Sequence, residues 1–304
     1  MEKRRLGRTE LQISALSLGG AAFGNMYGTL DKTEAEATIR QAIEMGINLI
    51  DTSPFYGETR SETVLGELIT PQLRKQIYLC TKAGRHKLDV FDFTSEGIKN
   101  SLDKSLQRLN TDYVDILIAH DIEFCPDFQL IVSETIPTLE QLKKTGKCRF
   151  IGVSGYPLEI LKQAIEIAPL DVIISYGHFT LQNQLLVTDL IPLTHQKDIG
   201  LMNASPLGMG LLTSQGAPSW HPAPENWKEL VRSAAALCQQ NGTDLAFLSM
   251  QYAFQESAIA TTITGTAKQS ELNENFRAFI TPINRELVKQ VQAILAPILN
   301  RSWA

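Results

Sequence analysis

Ile77-Tyr-Leu-Cys-Thr-Lys82 and Val114-Asp-Ile-Leu-Ile-Ala-His120 are two short, nearly continuous apolar runs, and the residues between them carry helical spacing from Thr94 to Leu109. A strand exposed on one face alternates apolar and polar residues, whereas a parallel strand buried on both faces is apolar throughout. The segment therefore predicts a β-α-β unit in a parallel sheet. Each run ends on an ionisable residue, Lys82 and His120, which is costly inside a sheet unless something pairs it.

The same alternation extends in both directions. Upstream, the residues 4 to 13 predict a hairpin, Ala15 to Gly20 a first strand, and Lys32 onward a helix with Ala35, Ile39, Ala42 and Ile43 on one face. Asn48-Leu-Ile-Asp-Thr-Ser53 is the next strand, followed by a helix opening near Ser61. Downstream, a helix from Leu130 to Lys144 stops at Gly146, a residue suited to end it. Strands follow at Arg149–Ser154, Val172–Ser175, Ile199–Ala204 and Thr261–Gly265, with helices near 157–167, 183–196, 226–241 and 269–279 and a tail helix at 284–299. Eight strand-then-helix units predict a single-domain (β/α)8 TIM barrel with an N-terminal hairpin and a C-terminal tail helix. An open doubly wound sheet is the competing architecture, but no GxGxxG turn follows any strand.

Composition narrows the function classes. The 304 residues are 43% hydrophobic and 20% charged, enough apolar material for a full core. A net charge of -5, with basic clusters no longer than Lys3-Arg4-Arg5 and Arg85-His86-Lys87, argues against nucleic acid or an anionic membrane as partner. Cys80, Cys125, Cys148 and Cys238 stand far apart without a CxxC, so no metal site is expected and reduced thiols fit the cytoplasm. Neither a signal-peptide h-region nor a membrane-length apolar run is present. The expected assembly is a monomer or small homo-oligomer.

In such barrels chemistry sits where the strands end. Asp51 lies near the end of the second barrel strand, Lys82 ends the third, His120 the fourth, and Tyr56 lies in the loop five residues after Asp51. A tyrosine of ordinary pKa near 10 is a poor base at neutral pH. A neighbouring ammonium lowers that value, Asp51 can hold the ammonium, and a histidine can orient a substrate oxygen. Taken singly, each residue has a structural explanation: a loop cap, a packed aromatic, a solvated strand-end charge, a core histidine. Together at adjacent strand ends they form a proton-transfer set for an alcohol or a carbonyl.

Asp51-Thr-Ser-Pro-Phe-Tyr56-Gly, with Lys82 and His120, resembles the Asp-Tyr-Lys-His pattern of the aldo-keto reductase family. Leu6-Gly-Arg-Thr-Glu-Leu-Gln-Ile-Ser, Leu106-Gln-Arg-Leu-Asn-Thr-Asp-Tyr-Val-Asp115 and Ser205-Pro-Leu-Gly-Met-Gly-Leu-Leu-Thr213 also match, so the resemblance covers essentially the whole chain. Within the family, His120-Asp-Ile-Glu-Phe124, Val132-Ser-Glu-Thr-Ile-Pro137, Arg149-Phe-Ile-Gly-Val-Ser-Gly155 and Gly216-Ala-Pro-Ser-Trp-His-Pro-Ala223 are most similar to members that oxidise C1 of a free aldose.

The resemblance implies a nicotinamide dinucleotide across the barrel mouth. Ser154 would bond its carboxamide, with Gly155, Ile174 and Ala204 standing where many members carry Asn, Gln and Tyr, and with Ser175 as a stand-in for the Gln. Ser205, Leu207, Gly208 and Gly210 belong to a loop whose glycines let backbone amides approach a pyrophosphate. Gly265, Thr266, Glu271 and Asn275 match the adenosine-binding segment. Glu271 stands where NADPH-preferring members often carry Arg, which favours NAD, whereas Lys268 could receive a 2′-phosphate and keeps NADP open.

The expected activity is NAD-dependent oxidation of C1 of an aldose such as L-galactose, L-fucose or D-arabinose, with Tyr56 as acid/base. Phe55, Asp121, His178 and Trp220 are the candidate sugar contacts. Competing readings are an NADPH-dependent aldehyde or ketone reductase, a Schiff-base lyase using Lys82, and a cofactor-binding regulatory subunit on the same fold.

Overall fold

The computed structural model describes residues 1–303. A two-stranded antiparallel hairpin, β1 (Lys3–Arg5) and β2 (Gln12–Ser14), precedes eight parallel strands. These are β3 (Leu16–Gly19), β4 (Leu49–Asp51), β5 (Tyr78–Ala83), β6 (Val114–Ala119), β7 (Cys148–Gly155), β8 (Val172–Tyr176), β9 (Gly200–Ala204) and β10 (Thr261–Gly265). They pair in chain order, and β10 returns to β3 to close the barrel. The expected (β/α)8 architecture is thus the observed one.

Burial on two faces explains the apolar runs. In β6, Ile116 and Ile118 point into the barrel beside Leu49, Cys80, Val172, Ile174 and Met202. Leu117 and Ala119 point outward into the helix-facing core. Leu6, Leu11 and Ile13 of the hairpin join the interior cluster and plug the end of the barrel where the strands begin. Gly7 there has φ +48°, and a Cβ on it would run into the backbone nitrogen of Gly200. With that end sealed, the opposite end is left for a site.

Two helices depart from the expected pattern. The expected helices 130–144 and 183–196 each carry a π-helical turn, Ile131–Thr135 and Leu186–Leu190, just before Pro137 and Pro192. A proline has no N–H to offer the preceding turn, so the chain widens to re-register its hydrogen bonds. The helix Leu245–Ala253 has no counterpart in the sequence reading. Its sequence Leu-Ala-Phe-Leu-Ser-Met-Gln-Tyr-Ala is apolar all round and carries no 3.6-residue stripe. It packs on Gln269–Ile280 and on Glu225–Gln240, and the latter also packs on the tail helix Arg285–Leu295. The tail continues as a short 3-10 turn, Ala296–Ile298, and Trp303 stacks on Tyr156 at 5.3 Å. Among the described residues no helix is long and apolar enough to cross a membrane.

Candidate active site

Strand register brings the ionisable residues together. Asp51, the last residue of β4, pairs with Cys80 of β5, so Lys82 stands two residues further along the same face. Its side chain reaches back over the end of β4. Lys82 Nζ donates to Asp51 Oδ1 and Oδ2 at 2.8 and 2.7 Å and to the Thr52 carbonyl at 2.9 Å. Lys82 and Asp51 are both 2% exposed. Burial alone would discharge the lysine, but Asp51 and then the Tyr56 phenol outweigh it and hold the ammonium above its ordinary range.

The loop after β4 turns back through Gly57, Glu58 and Thr59, all with positive φ, while Gly57 meets Gly24 backbone to backbone. This turn sets Tyr56 over the mouth, with Lys82 Nζ donating to Tyr56 Oη at 3.2 Å and lying 4.7 Å from the ring centroid. The expected lowering of the phenol is only partly realised. Burial pushes Tyr56 up, Lys82 pulls it down, and Asp51 opposes Lys82, leaving it above its ordinary value. The ammonium is already spent on a carboxylate, so its field at the phenol is that of a pair rather than of a free cation.

His120 follows β6 directly, and its ring lies 5.9 Å from that of Tyr56 at 88°. Nδ1 faces Ser53 Oγ at 3.0 Å, and Nε2 lies 3.5 Å from Asp121 Oδ2. Burial pushes the imidazole down to about 3, so it is neutral at physiological pH. Asp121 itself is tied up. Arg85 Nη1 donates to Oδ2 at 2.5 Å, Ser154 donates to Oδ1 at 3.2 Å, and the Asp121 N–H donates back to Ser154 Oγ at 2.9 Å. Ser154 keeps one lone pair free for an amide hydrogen. Phe55 lies between the Arg85 guanidinium at 3.9 Å and the His120 ring at 5.8 Å.

From Asp51 and Tyr56 a cleft of about 770 Å³ runs over the ends of β9, β10 and β3. Ser205, Leu207, Gly210, Trp220, Gly265, Thr266, Glu271 and Asn275 line it, as the sequence reading expects of a dinucleotide groove. Ser205, Gly208, Met209 and Gly210 all have positive φ, a run of left-handed backbone of the kind that turns amides toward an anion. A Cβ on Gly19 or Gly265 would press on backbone or on Ile263 and Tyr27, so the floor beside β3 and β10 is kept flat. At the far end Thr266 Oγ1 donates to Glu271 Oε2 at 2.6 Å and Lys268 Nζ to Oε1 at 3.1 Å. The size, the flat floor and the amide-bearing loop fit a nicotinamide dinucleotide.

Not every expected residue reaches this cleft, and Ser154, Phe55 and Asp121 are not among the residues that line it. Gly208 is buried and accepts a hydrogen bond from His221 through its carbonyl. Ser175 is turned to His178 Nδ1 at 3.1 Å. His178 is 1% exposed and packs on Tyr156 at 4.7 Å, so it is a core histidine held neutral by burial, with no face on the cleft. Conversely, Arg85, Glu123 and the loop Met26–Leu30 that forms one wall lie outside the expected site, and Met209, expected only to pack, lines the cleft.

Comparison with known proteins agrees with this geometry. The model of the Aldo/keto reductase family matches residues 15–296. The chain is 42% identical to L-galactose dehydrogenase from Arabidopsis thaliana, over 100% of this chain and 97% of that one. It is 32% identical to D-arabinose 1-dehydrogenase from Saccharomyces cerevisiae, over 96% and 93% of the two chains. Among solved structures, an aldo-keto reductase from Bacillus halodurans in its holo form superposes with a TM-score of 0.81 at 23% identity, covering 99% of this chain and 100% of that one. The chain belongs to the aldo-keto reductase family.

Proposed function

We propose that the protein is an NAD-dependent aldose 1-dehydrogenase that oxidises C1 of a sugar of the L-galactose type to the lactone. One observation carries the reading: Lys82 Nζ bonds Asp51 and Tyr56 Oη at the head of a cleft whose far end presents the Glu271 carboxylate. The names of the relatives support the substrate class: L-galactose dehydrogenase and D-arabinose 1-dehydrogenase are both named for an aldose, the second for position 1.

NAD+, when bound over the mouth, would supply the hydride acceptor for C1. Tyr56 takes the C1 hydroxyl proton. Lys82 stabilises the phenolate that this requires, and Asp51 holds Lys82 in place. His120 orients the same hydroxyl from the other side. Ser154 has the free lone pair to fix a carboxamide, and Glu271 can accept from a ribose hydroxyl while repelling a 2′-phosphate. Phe55 and Trp220 would form walls of the sugar pocket, and Asp121 acts through Arg85 and His120.

One observation favours a second reading, reduction of an aldehyde by NADPH. The phenol sits above its ordinary value, so without added positive charge it is a better proton donor than acceptor. A Schiff-base role for Lys82 is opposed by its ion pair, which keeps the amine protonated. Reduced-nicotinamide absorbance, followed with NAD+ or NADP+ against L-galactose, L-fucose, D-arabinose and simple aldehydes, decides between them. NAD-dependent oxidation of an aldose, lost in Tyr56→Phe, supports the first reading. Turnover only of aldehydes with NADPH overturns it in favour of the second. Nucleotide binding without turnover in either direction leaves a regulatory subunit.

A further inference from the structure

We propose that Ser53 is a positioning residue that fixes His120 as the tautomer protonated on Nε2. The neutral ring has two forms, and only the one with its proton on Nε2 can donate a hydrogen bond at the mouth of the barrel. Which form is present follows from the partners of the other nitrogen, and here both sides of the ring agree.

On the Nδ1 side, Ser53 Oγ lies 3.0 Å away and Ser53 is fully buried. Its oxygen already accepts the Phe55 N–H at 3.1 Å, an ST-type turn two residues long. The hydroxyl proton therefore has one acceptor within reach, Nδ1. Were Nδ1 protonated, it could donate to the second lone pair of Oγ, but the fully buried hydroxyl hydrogen would then be left without an acceptor, costing on the order of 1–3 kcal/mol. On the other side, Nε2 looks toward Asp121 Oδ2 at 3.5 Å. A bare Nε2 would set its lone pair against a carboxylate, whereas Nε2–H is attracted to it. Burial keeps the second proton off the ring, so the choice is between tautomers and not between charge states.

Ser53 thus does for His120 what Asp51 does for Lys82, on the adjacent strand end and from the same turn. The tautomer stands on the hydrogen-bond partners of the two ring nitrogens. Its use, a proton aimed at a substrate oxygen between Asp121 and Tyr56, rests on the oxidoreductase reading.

Nitrogen NMR of the protein labelled with 15N-histidine tests the assignment. There are five histidines, and a His120→Asn variant identifies the His120 signals. Long-range 1H–15N correlations separate protonated from bare ring nitrogens. The expected spectrum has His120 Nε2 protonated and Nδ1 bare in the wild type, with the two tautomers mixing in Ser53→Ala and the single form restored in Ser53→Thr. A wild-type Nδ1–H signal overturns the proposal outright, even should Ser53→Ala fail to fold. An unchanged tautomer in a folded Ser53→Ala overturns the role of Ser53. The expected spectrum in a protein that turns over neither sugar nor aldehyde would leave this inference standing while sinking the enzymatic one.

Discussion

Arg85 Nη1 lies 2.5 Å from Asp121 Oδ2, joining the loops that follow two adjacent barrel strands, and the same carboxylate oxygen is 3.5 Å from His120 Nε2. The guanidinium and the imidazole therefore compete for one acceptor. Arg85 adds to the burial that holds His120 down at about 3, while Asp121 works against it. In Arg85→Met the carboxylate turns wholly toward the ring, so His120 should titrate at a higher pH. The His120 ring proton shift, followed from pH 3 to 8, measures this. A midpoint equal to or below that of the wild type would show that Arg85 has no hold on the site.

That pair also marks how far the sequence could be read. Asp51, Lys82 and His120 were legible because each closes an apolar run, and a parallel barrel puts all such closures at one rim. Arg85 was not, because its meaning lies in a partner 36 positions away on the next loop. Glu123 was hidden for the same reason: its contacts, the Tyr156 N–H just after β7 and Tyr176 Oη at the end of β8, lie far along the chain. His178 shows the opposite error. It follows a strand, as a site residue should, yet its side chain turns into the core. The helix Leu245–Ala253 escaped because a segment buried all round has no stripe to betray it.

The Lys82–Asp51 pair should separate stability from catalysis. Lys82→Met leaves a carboxylate at 2% exposure without its cation, a loss of about 3–5 kcal/mol by the usual cost of an unpaired buried charge. Pairing that change with Asp51→Asn should recover part of the loss. Tyr56→Phe removes only a hydroxyl bonded at 3.2 Å, so it should leave stability within about 1 kcal/mol while turnover falls by about 10²–10⁴. Urea melts with parallel rate measurements check all three. A Lys82→Met variant as stable as the wild type would mean that the Lys82–Asp51 pair contributes no net stability to the fold.

Gly155 is the last residue of β7, and a Cβ there would lie 2.8 Å from Glu123 Oε2. That oxygen is buried without a partner, while Oε1 is anchored by Tyr156 and Tyr176 at 2.9 and 3.1 Å. Moving the carboxylate aside means giving up those bonds. Gly155→Ala should therefore cost about 1–3 kcal/mol, and clearly less in a Glu123→Ala background. A thermodynamic cycle of the four proteins measures the coupling. Strict additivity would show that the two residues do not share this space.

Burial, and then the nearby Asp121 charge, push the Glu123 carboxyl from an ordinary 4.5 up to about 7. The folded protein thus holds this proton more tightly than the unfolded chain does. The stabilisation is fully present below pH 4.5 and is lost as pH rises through 7. His120 acts in the opposite sense, its contribution falling away as pH drops from 6.5 through 3. Glu123→Gln removes the first effect alone, so its Tm relative to the wild type should climb between pH 4.5 and 7 and level off above. A Tm difference independent of pH would show that Glu123 is ionised in the fold throughout.

Cofactor choice should turn on Glu271. Its carboxylate is fixed by Thr266 Oγ1 at 2.6 Å and by Lys268 Nζ at 3.1 Å, so it cannot swing away from an arriving phosphate without losing both. The Lys268 ammonium is in turn engaged by Glu271 and is a weaker phosphate ligand than a free lysine. At about 4 Å two unit charges interact by about 1 kcal/mol in water and about 4 kcal/mol near a protein surface. Glu271→Arg reverses that sign and frees Lys268, so the ratio of kcat/KM for NAD+ over NADP+ should fall at least about fivefold. Lys268→Met should move the ratio the other way, by weakening NADP+ and sparing NAD+. If Glu271→Arg lowers both cofactors equally, the residue supports the loop and does not read the ribose. If Lys268→Met weakens NADP+ about as much as Glu271→Arg strengthens it, the lysine already receives the phosphate in the wild type, and the preference for NAD is to be sought elsewhere along the cleft.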